Sequence, residues 1–398
     1  MRKFVILLAC ICATIAHAQW WTNSGKQGST SSKQKTSTSK QGSTGNQQNN
    51  SSGKKYSFKT FSIHDMVLIY QGGTNRLDWT QEQFVPYVSH TFADGRMEWT
   101  FDGLLFIEFK DNKGHYLYPK KNTVVADKAG WEWYLGRLFE KGKSLDALDK
   151  CIDQLKTRLG TPGSKHKIVL TVPTPQPTAG KWGRIGWKNL NLKNESDQVK
   201  AAKWFIDELV TRFNKGNYKN LELVALYWLC EEMFSYPKLV PKVKDYVHSK
   251  NLAFVHIPYF YAGNHVVYKP ENFDMVYLQP NYFMYPETQQ ARVNEACLKA
   301  STKNFGLEFE CDERALAKNK NSQYYRNRMQ AYIDGFDRCG VYASASIAYY
   351  LGGRYLWDAY VGKNKDDQKM VDQLAQKIVD RRKAFAKPQE RTSEDWHF

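Results

Sequence analysis

Leu221-Glu-Leu-Val-Ala-Leu-Tyr-Trp-Leu-Cys-Glu231, then a helical pattern over Tyr236–Ser249, then Ala253-Phe-Val-His-Ile-Pro-Tyr259, is the stretch that decides the fold. Two runs rich in β-branched and aromatic residues, joined by a helix-length connection, predict parallel neighbours, because a parallel pair needs a crossover long enough to hold a helix. Similar runs stand at Met66–Gln71, Leu104–Lys110, Ile168–Pro173, Met275–Asn281, Phe305–Asp312 and Gly340–Tyr350, making eight in all. Helical spacing marks Trp131, Tyr134, Leu135, Leu138 and Phe139, and continues through Leu145, Leu148, Ile152, Leu155 and Leu159. It returns at Val199–Phe213, Ala296–Ala300, Tyr325–Phe336 and Val371–Phe385. The fifth connection, Tyr261–Phe273, is short and carries Gly263 and Pro270, so a loop or a single turn is expected there. Eight such units predict an α/β fold, a (β/α)8 TIM barrel. A doubly wound open sheet is the alternative, but Gln71-Gly72-Gly73-Thr74 lacks the G-x-G-x-x-G turn that such a sheet carries after its first strand.

Outward from the barrel, assigned to residues 56–386, the composition changes sharply. Met1-Arg-Lys, the apolar run Phe4–Ile15 and Ala16-His17-Ala18 read as a signal peptide over 1–18, implying a secreted or periplasmic protein. The run is shorter than the roughly 20 residues a membrane span needs, so no transmembrane segment is expected. Leu7-Leu8-Ala9-Cys10 resembles a lipoprotein box, a less expected route to an anchor. Residues 19–55 are read as a linker that is expected to be disordered, since from Thr22 to Lys55 the chain is Ser, Thr, Gln, Asn, Gly and Lys and nothing aliphatic can build a core. Residues 387–398 are a tail. Setting aside the two cations of 1–18 and the six lysines of the linker takes the formal charge from +17 to +9, spread along the barrel sequence. That balance reads first as scattered, solvated charge and secondly as suited to an anionic polymer or surface, while no aromatic-interleaved basic motif argues for nucleic acid.

Barrel enzymes place their sites where the C-terminal strand ends converge. Alternation along the seventh run puts Glu308, Glu310 and Asp312 on one face and Leu307, Phe309 and Cys311 on the other. Like charges inside a barrel are costly unless paired, protonated or solvated, so function explains them better than stability does. Glu108 and Lys110 share a face of the second run, with Lys110 a candidate counter-charge, and Gln279 and Asn281 share a face of the sixth. The fourth run ends in Glu231 and Glu232. Regular alternation with Tyr227 and Leu229 favours Glu231 as the inward residue, whereas a bulge would favour Glu232. Two carboxylates across a barrel mouth fit glycoside hydrolysis, with Glu231 as general acid/base and Glu310 as nucleophile, Glu308 or Asp312 tuning it. The bland alternative is a network of interior salt bridges. Tyr70, Trp79, Trp182, Trp187, Trp228, Tyr259, Tyr282, Tyr349 and Trp357 are candidates to line the cleft, and Arg76 and Asp78 to bind hydroxyls or a carboxylate.

Other chemistries find less support. After residues 1–18 five cysteines remain, Cys151, Cys230, Cys297, Cys311 and Cys339, an odd number without Cys-x-x-Cys, and they read as small buried hydrophobes. The histidines show no metal-ligand spacing, His256 reads as a core or cleft residue, and neither a G-x-S-x-G elbow nor a Walker loop occurs. No cofactor or metal is expected.

Ordered motifs then add a resemblance. Val67-Leu-Ile-Tyr-Gln-Gly-Gly, Asn75-Arg76, Trp79-Thr80, Phe84, Pro86-Tyr87-Val88, Phe101-Asp-Gly-Leu-Leu-Phe106, Tyr227-Trp228 with Glu231, Gln279-Pro-Asn-Tyr-Phe283 and Glu308-Phe-Glu310 resemble a family of secreted bacterial barrel domains of largely unknown function, similar to glycoside hydrolases. The resemblance spans about 64–385 and implies that the acid pair matches the strand-four and strand-seven glutamates of the large retaining glycosidase clan. That clan usually has Asn before the strand-four acid, where this chain has Cys230. Two functions follow as expectations: a secreted glycoside hydrolase acting on a polysaccharide or glycoconjugate, or a glycan-binding barrel without catalysis.

Overall fold

The computed structural model describes residues 63–72, 76–231, 238–262 and 272–386. The expected signal peptide, linker and tail, and Glu232, lie outside them. Eight parallel strands close into a barrel in chain order: β1 Asp65–Tyr70, β2 Gly103–Ile107, β3 His166–Val172, β4 Leu221–Trp228, β5 Ala253–His256, β6 Met275–Leu278, β7 Gly306–Cys311 and β8 Ile347–Leu351. Strand eight pairs with strand one through Asp65↔Ile347 to Val67↔Tyr349. All eight lie within or overlap the runs read from the sequence. The eighth run is corrected: its first part, Val341–Ser344, is a short helix, and the strand begins only at Ile347.

Helices surround the strands: α1 Gln81–Val88, α2 Lys128–Leu138, α3 Ser144–Leu159, α4 Glu195–Gly216, α5 Leu239–Ser249, α6 Ala291–Lys303, α7 Ser322–Arg338, α8 Val341–Ser344, α9 Tyr355–Gly362 and α10 Lys365–Ala386. Local chemistry starts them where they start. Thr80 and Gln83 form a capping box on α1, and Asp127 accepts the Gly130 N–H to cap α2. The connection between β2 and β3 holds two helices, as its length demands. A hairpin of Ser89–Thr91 and Met97–Trp99 follows α1, and a second, of Gly183–Ile185 and Lys188–Leu190, precedes α4.

Register decides which side chains enter the barrel. Tyr70 stands beside Ile107, Thr171 beside Tyr227, Glu308 beside Ala348 and Glu310 beside Tyr350, all on the inner face. Gly306 occupies the inner face low in β7 because there is no room for more: a Cβ there would lie 2.5 Å from the Ser346 carbonyl and 2.7 Å from the Tyr277 ring. At the N-terminal end of the barrel the last helix closes the fold. Arg381 of α10 is 3% exposed and donates to Asp65 at 2.8 and 3.0 Å and to the carbonyls of Val341, Tyr342, His64 and Ala345. Tyr349 donates to the same Asp65 at 2.7 Å, and Asp102 accepts the backbone N–H groups of His64 and Asp65. Burial and the neighbouring Asp65 raise Asp102 to about 6. The described cysteines are unpaired with one another by disulfides, four of them buried.

Candidate active site

At the C-terminal end of the barrel, β7 carries Glu308 and Glu310, which are 4% and 2% exposed. Strict alternation sends both inward, as the sequence pattern predicts. Glu310 is held by a complete set of donors. Its Oε1 accepts the Asn281 N–H at 3.1 Å and the Asn281 Nδ2 at 3.3 Å, and its Oε2 accepts the Phe283 N–H at 3.3 Å and the Tyr332 hydroxyl. Asn281 presents both groups because its backbone sits in the left-handed region, φ 54°, while its Oδ1 accepts the Phe260 N–H at 2.7 Å. Asparagine tolerates that conformation better than most residues. Burial nevertheless raises Glu310 to about 7, against the lowering effect of those donors, with Tyr332 foremost. Glu308 rises well above the carboxylate range through burial first and then the charges of Glu310 and Glu231. No described residue donates a hydrogen bond to it.

Glu231 lies three residues past the end of β4, so its position owes nothing to strand alternation. An amide chain links it to the other acid: Gln279 Nε2 donates to Glu231 Oε1 at 3.1 Å, and Asn281 Nδ2 donates to Gln279 Oε1 at 2.9 Å and also reaches Glu310. Phenols fill the space among the carboxyls. Burial, then Glu231 and Glu308, hold Tyr227 well above the usual phenol range, and burial, then Tyr350, do the same for Tyr70. The Tyr70 and Tyr350 rings meet edge to face at 5.9 Å. Arg76 lies over the Tyr70 ring at 4.5 Å and pairs with the buried Glu108 at 3.2 Å.

Several sequence candidates stand elsewhere, for reasons of register or of strand ending. Tyr349 faces Phe101 and Asp65 on the helix side, and its neighbour Tyr350 is the inward residue. Trp228 alternates outward against Phe254. Trp79 is buried against Phe84 and Tyr87 and donates to the Tyr70 carbonyl at 2.6 Å, anchoring the end of β1 from outside. Asp78 is exposed beside Arg137 and Lys143. Asp312 follows the end of β7 and caps a 3-10 turn while pairing with Arg314 at 2.8 Å, so two acids, not three, line β7 inside. Lys110 is exposed with its ammonium over the Tyr116 ring at 4.6 Å and is no counter-charge to the acids. Tyr282 serves through its backbone, its ring lying under Arg328 at 3.7 Å, and Tyr259 is half-buried against the core. Trp182 is buried on Trp131. His256 is buried, stacked on Phe273 at 4.4 Å, and held neutral by desolvation to about 3. The described residues include no cluster of three or more His, Cys, Asp or Glu placed to hold a metal ion.

Two site residues escaped the sequence reading. Tyr350 was hidden by a one-residue register choice. Tyr332 lies on α7, where its spacing reads only as core, and nothing local signals that its hydroxyl reaches Glu310.

The fold and site together define a closed (β/α)8 barrel with a cluster of buried carboxyls at its C-terminal mouth. The model of a domain of unknown function, DUF4855, matches residues 65–376, and the chain belongs to that family. No curated protein matches it. Among solved structures it is similar to an intracellular xylanase from Thermoanaerobacterium saccharolyticum, at 9% identity over 77% of this chain and 90% of that one, TM-score 0.38. The spore cortex-lytic enzyme SleL of Bacillus megaterium gives 9% identity over 80% and 74%, TM-score 0.38. Tryptophan synthase of M. tuberculosis gives 7% over 81% and 96%, TM-score 0.35. All three are too distant to bear on chemistry.

Proposed function

We propose that the protein is a glycoside hydrolase in which Glu310 acts on the anomeric carbon and Glu231 protonates the leaving oxygen. One observation carries the reading: two carboxyls, one from β7 and one from just past the end of β4, meet at the barrel mouth, joined by Gln279 and Asn281. A carboxylate used as nucleophile needs a fixed orientation, which the four contacts from Asn281, Phe283 and Tyr332 supply. The proton that Glu231 gives up goes to the glycosidic oxygen as the bond from the anomeric carbon breaks, and Glu310 takes the new bond to that carbon. Water then releases the sugar, with Glu231 accepting its proton. Glu308, kept neutral by burial, adds no second negative charge beside Glu310 at the moment of attack. The aromatic and phenolic lining gives sugar rings apolar faces and hydroxyl partners.

A screen of polysaccharides and aryl glycosides, run on the wild type and on Glu310→Gln, tests this. Hydrolysis by the wild type and none by the variant is the expected result, and full activity in the variant refutes the assignment. The second reading, a glycan-binding barrel without turnover, draws on the same donors: a Glu310 so fully engaged also organises the backbone of residues 281–283. It predicts retention of glycans by both proteins and turnover by neither.

A further inference from the structure

Trp187 is 93% exposed, the most exposed of the large hydrophobic residues described. It stands at the tip of the hairpin Gly183–Ile185 and Lys188–Leu190, in the connection that leaves the C-terminal end of β3. That connection starts beside the acids, for the Thr174 hydroxyl accepts the N–H of Cys230, the residue before Glu231, at 3.1 Å. The hairpin is fixed from below. Trp182 packs edge-on against Trp131 and Trp204, its carbonyl accepts the Lys128 N–H at 2.8 Å, and Lys188 reaches Asp197 of α4 at 2.6 Å. Gly186, at φ 56°, makes the turn that lifts the indole clear. Arg184 donates to the Gly186 carbonyl at 2.8 Å and holds its guanidinium 5.5 Å from the Trp187 ring. An indole so open to water, on a hairpin so anchored, contributes little to the fold.

The stretch that carries it is one-sided in charge. From residue 173 to 194 there is no Asp or Glu, while Lys181, Arg184 and Lys193 are exposed. The Thr174 N–H donates to the Leu117 carbonyl at 2.9 Å, joining this loop to the one that follows β2. There the exposed Lys110, together with Lys120, flanks the Tyr116 ring at 4.6 and 4.8 Å. The acids of that second loop are occupied: Glu108 by Arg76, Asp111 by the N–H groups of Lys113 and His115, and Asp127 by the start of α2. These two loops, joined at Thr174 and Leu117, bring exposed cations to one sector of the mouth. We propose that this sector binds an acidic glycan polymer, with Trp187 stacking on a sugar ring and Arg184 and its neighbouring cations pairing with the polymer's carboxylates.

The inference rests on the glycan reading of the acids but is measured without turnover. The full chain carrying Glu310→Gln, alone and with Trp187→Ala or Arg184→Ala added, is run in native gels containing polygalacturonate, neutral dextran or no polymer. The linker lysines are common to all the proteins, so differences report the rim. Retardation by polygalacturonate and not by dextran, weakened about tenfold by either added substitution and by raised salt, is the expected result. Equal retardation by dextran, or no effect of the added substitutions, overturns the proposal, as does retardation by single-stranded DNA that depends on Trp187 to the same degree. Because turnover plays no part, a chain that hydrolyses nothing still gives a clear result here.

Discussion

The barrel buries carboxyls at both ends, and the two ends treat them oppositely. At the N-terminal end, Asp65 has Arg381 and Tyr349 against it, and Asp102 has two backbone N–H groups. At the C-terminal end, Glu308 lies by the charges of Glu310 and Glu231, no arginine or lysine among the described residues pairs with Glu308 or Glu310, and Glu310 relies on neutral donors. The first arrangement is what a stable fold requires of buried charge. The second holds its groups near or above neutrality in proton affinity, which costs stability and is characteristic of sites that do chemistry.

Breaking the two ends separately should expose the difference. Glu310→Gln is expected to lower turnover about a thousandfold or more on any glycoside the wild type cleaves, with a melting temperature equal to or above the wild type's. Arg381→Met is expected to do the reverse. It leaves Asp65 buried without its cation and should cost about 3–5 kcal/mol in urea unfolding, while the folded fraction keeps the wild-type rate per active molecule.

The pH dependence sharpens the same contrast. Glu310 is raised in the fold from an ordinary 4.5 to about 7, so the native state binds more protons than the unfolded state between those values. Stability therefore falls as pH rises from 4.5 through 7, and the loss is complete above it. The corresponding loss from Asp102, raised from 3.8 to about 6, is over at a lower pH. A decline in melting temperature between pH 6 and 8 should belong to the mouth, and Glu310→Gln should flatten it, gaining a few degrees, roughly 2–4 °C, at pH 8. A Glu310→Gln protein that melts with the wild-type pH profile would contradict this. The smallest effect is expected from Tyr332→Phe, which removes a donor to the ionised form. It should move the lower limb of the activity profile upward by about one pH unit, leaving the fold intact.

Much of this was legible in the chain, and what was not follows a pattern. Strand existence came from runs of β-branched and aromatic residues, and the alternation of Glu308 and Glu310 with Leu307, Phe309 and Cys311 fixed their faces correctly because all five lie within β7. Alternation failed where it was carried past a strand end. Asp312 turns into a 3-10 cap, Glu231 sits in a loop, and Lys110 leaves the barrel altogether. It also failed for Tyr349, where the exchange with Tyr350 turns on one residue of register that two adjacent tyrosines cannot reveal. Trp79 and Trp228 were read as cleft aromatics because a large ring beside a strand end suits either face, and only packing decides. The partners of Glu310 were the least visible, since Tyr332 comes from a helix and the N–H groups of residues 281–283 have no side-chain signature.

Arg381 and Asp65 stand 316 residues apart. On the ribosome the first strand is made long before the arginine that neutralises it, and every other strand emerges in between. The buried aspartate at the start of the first strand must wait for the final turns of α10, so the barrel completes late in synthesis and as a whole. The family match stops at residue 376, five positions short of that arginine. A fragment cut at that boundary would contain every strand and lack the closing ion pair.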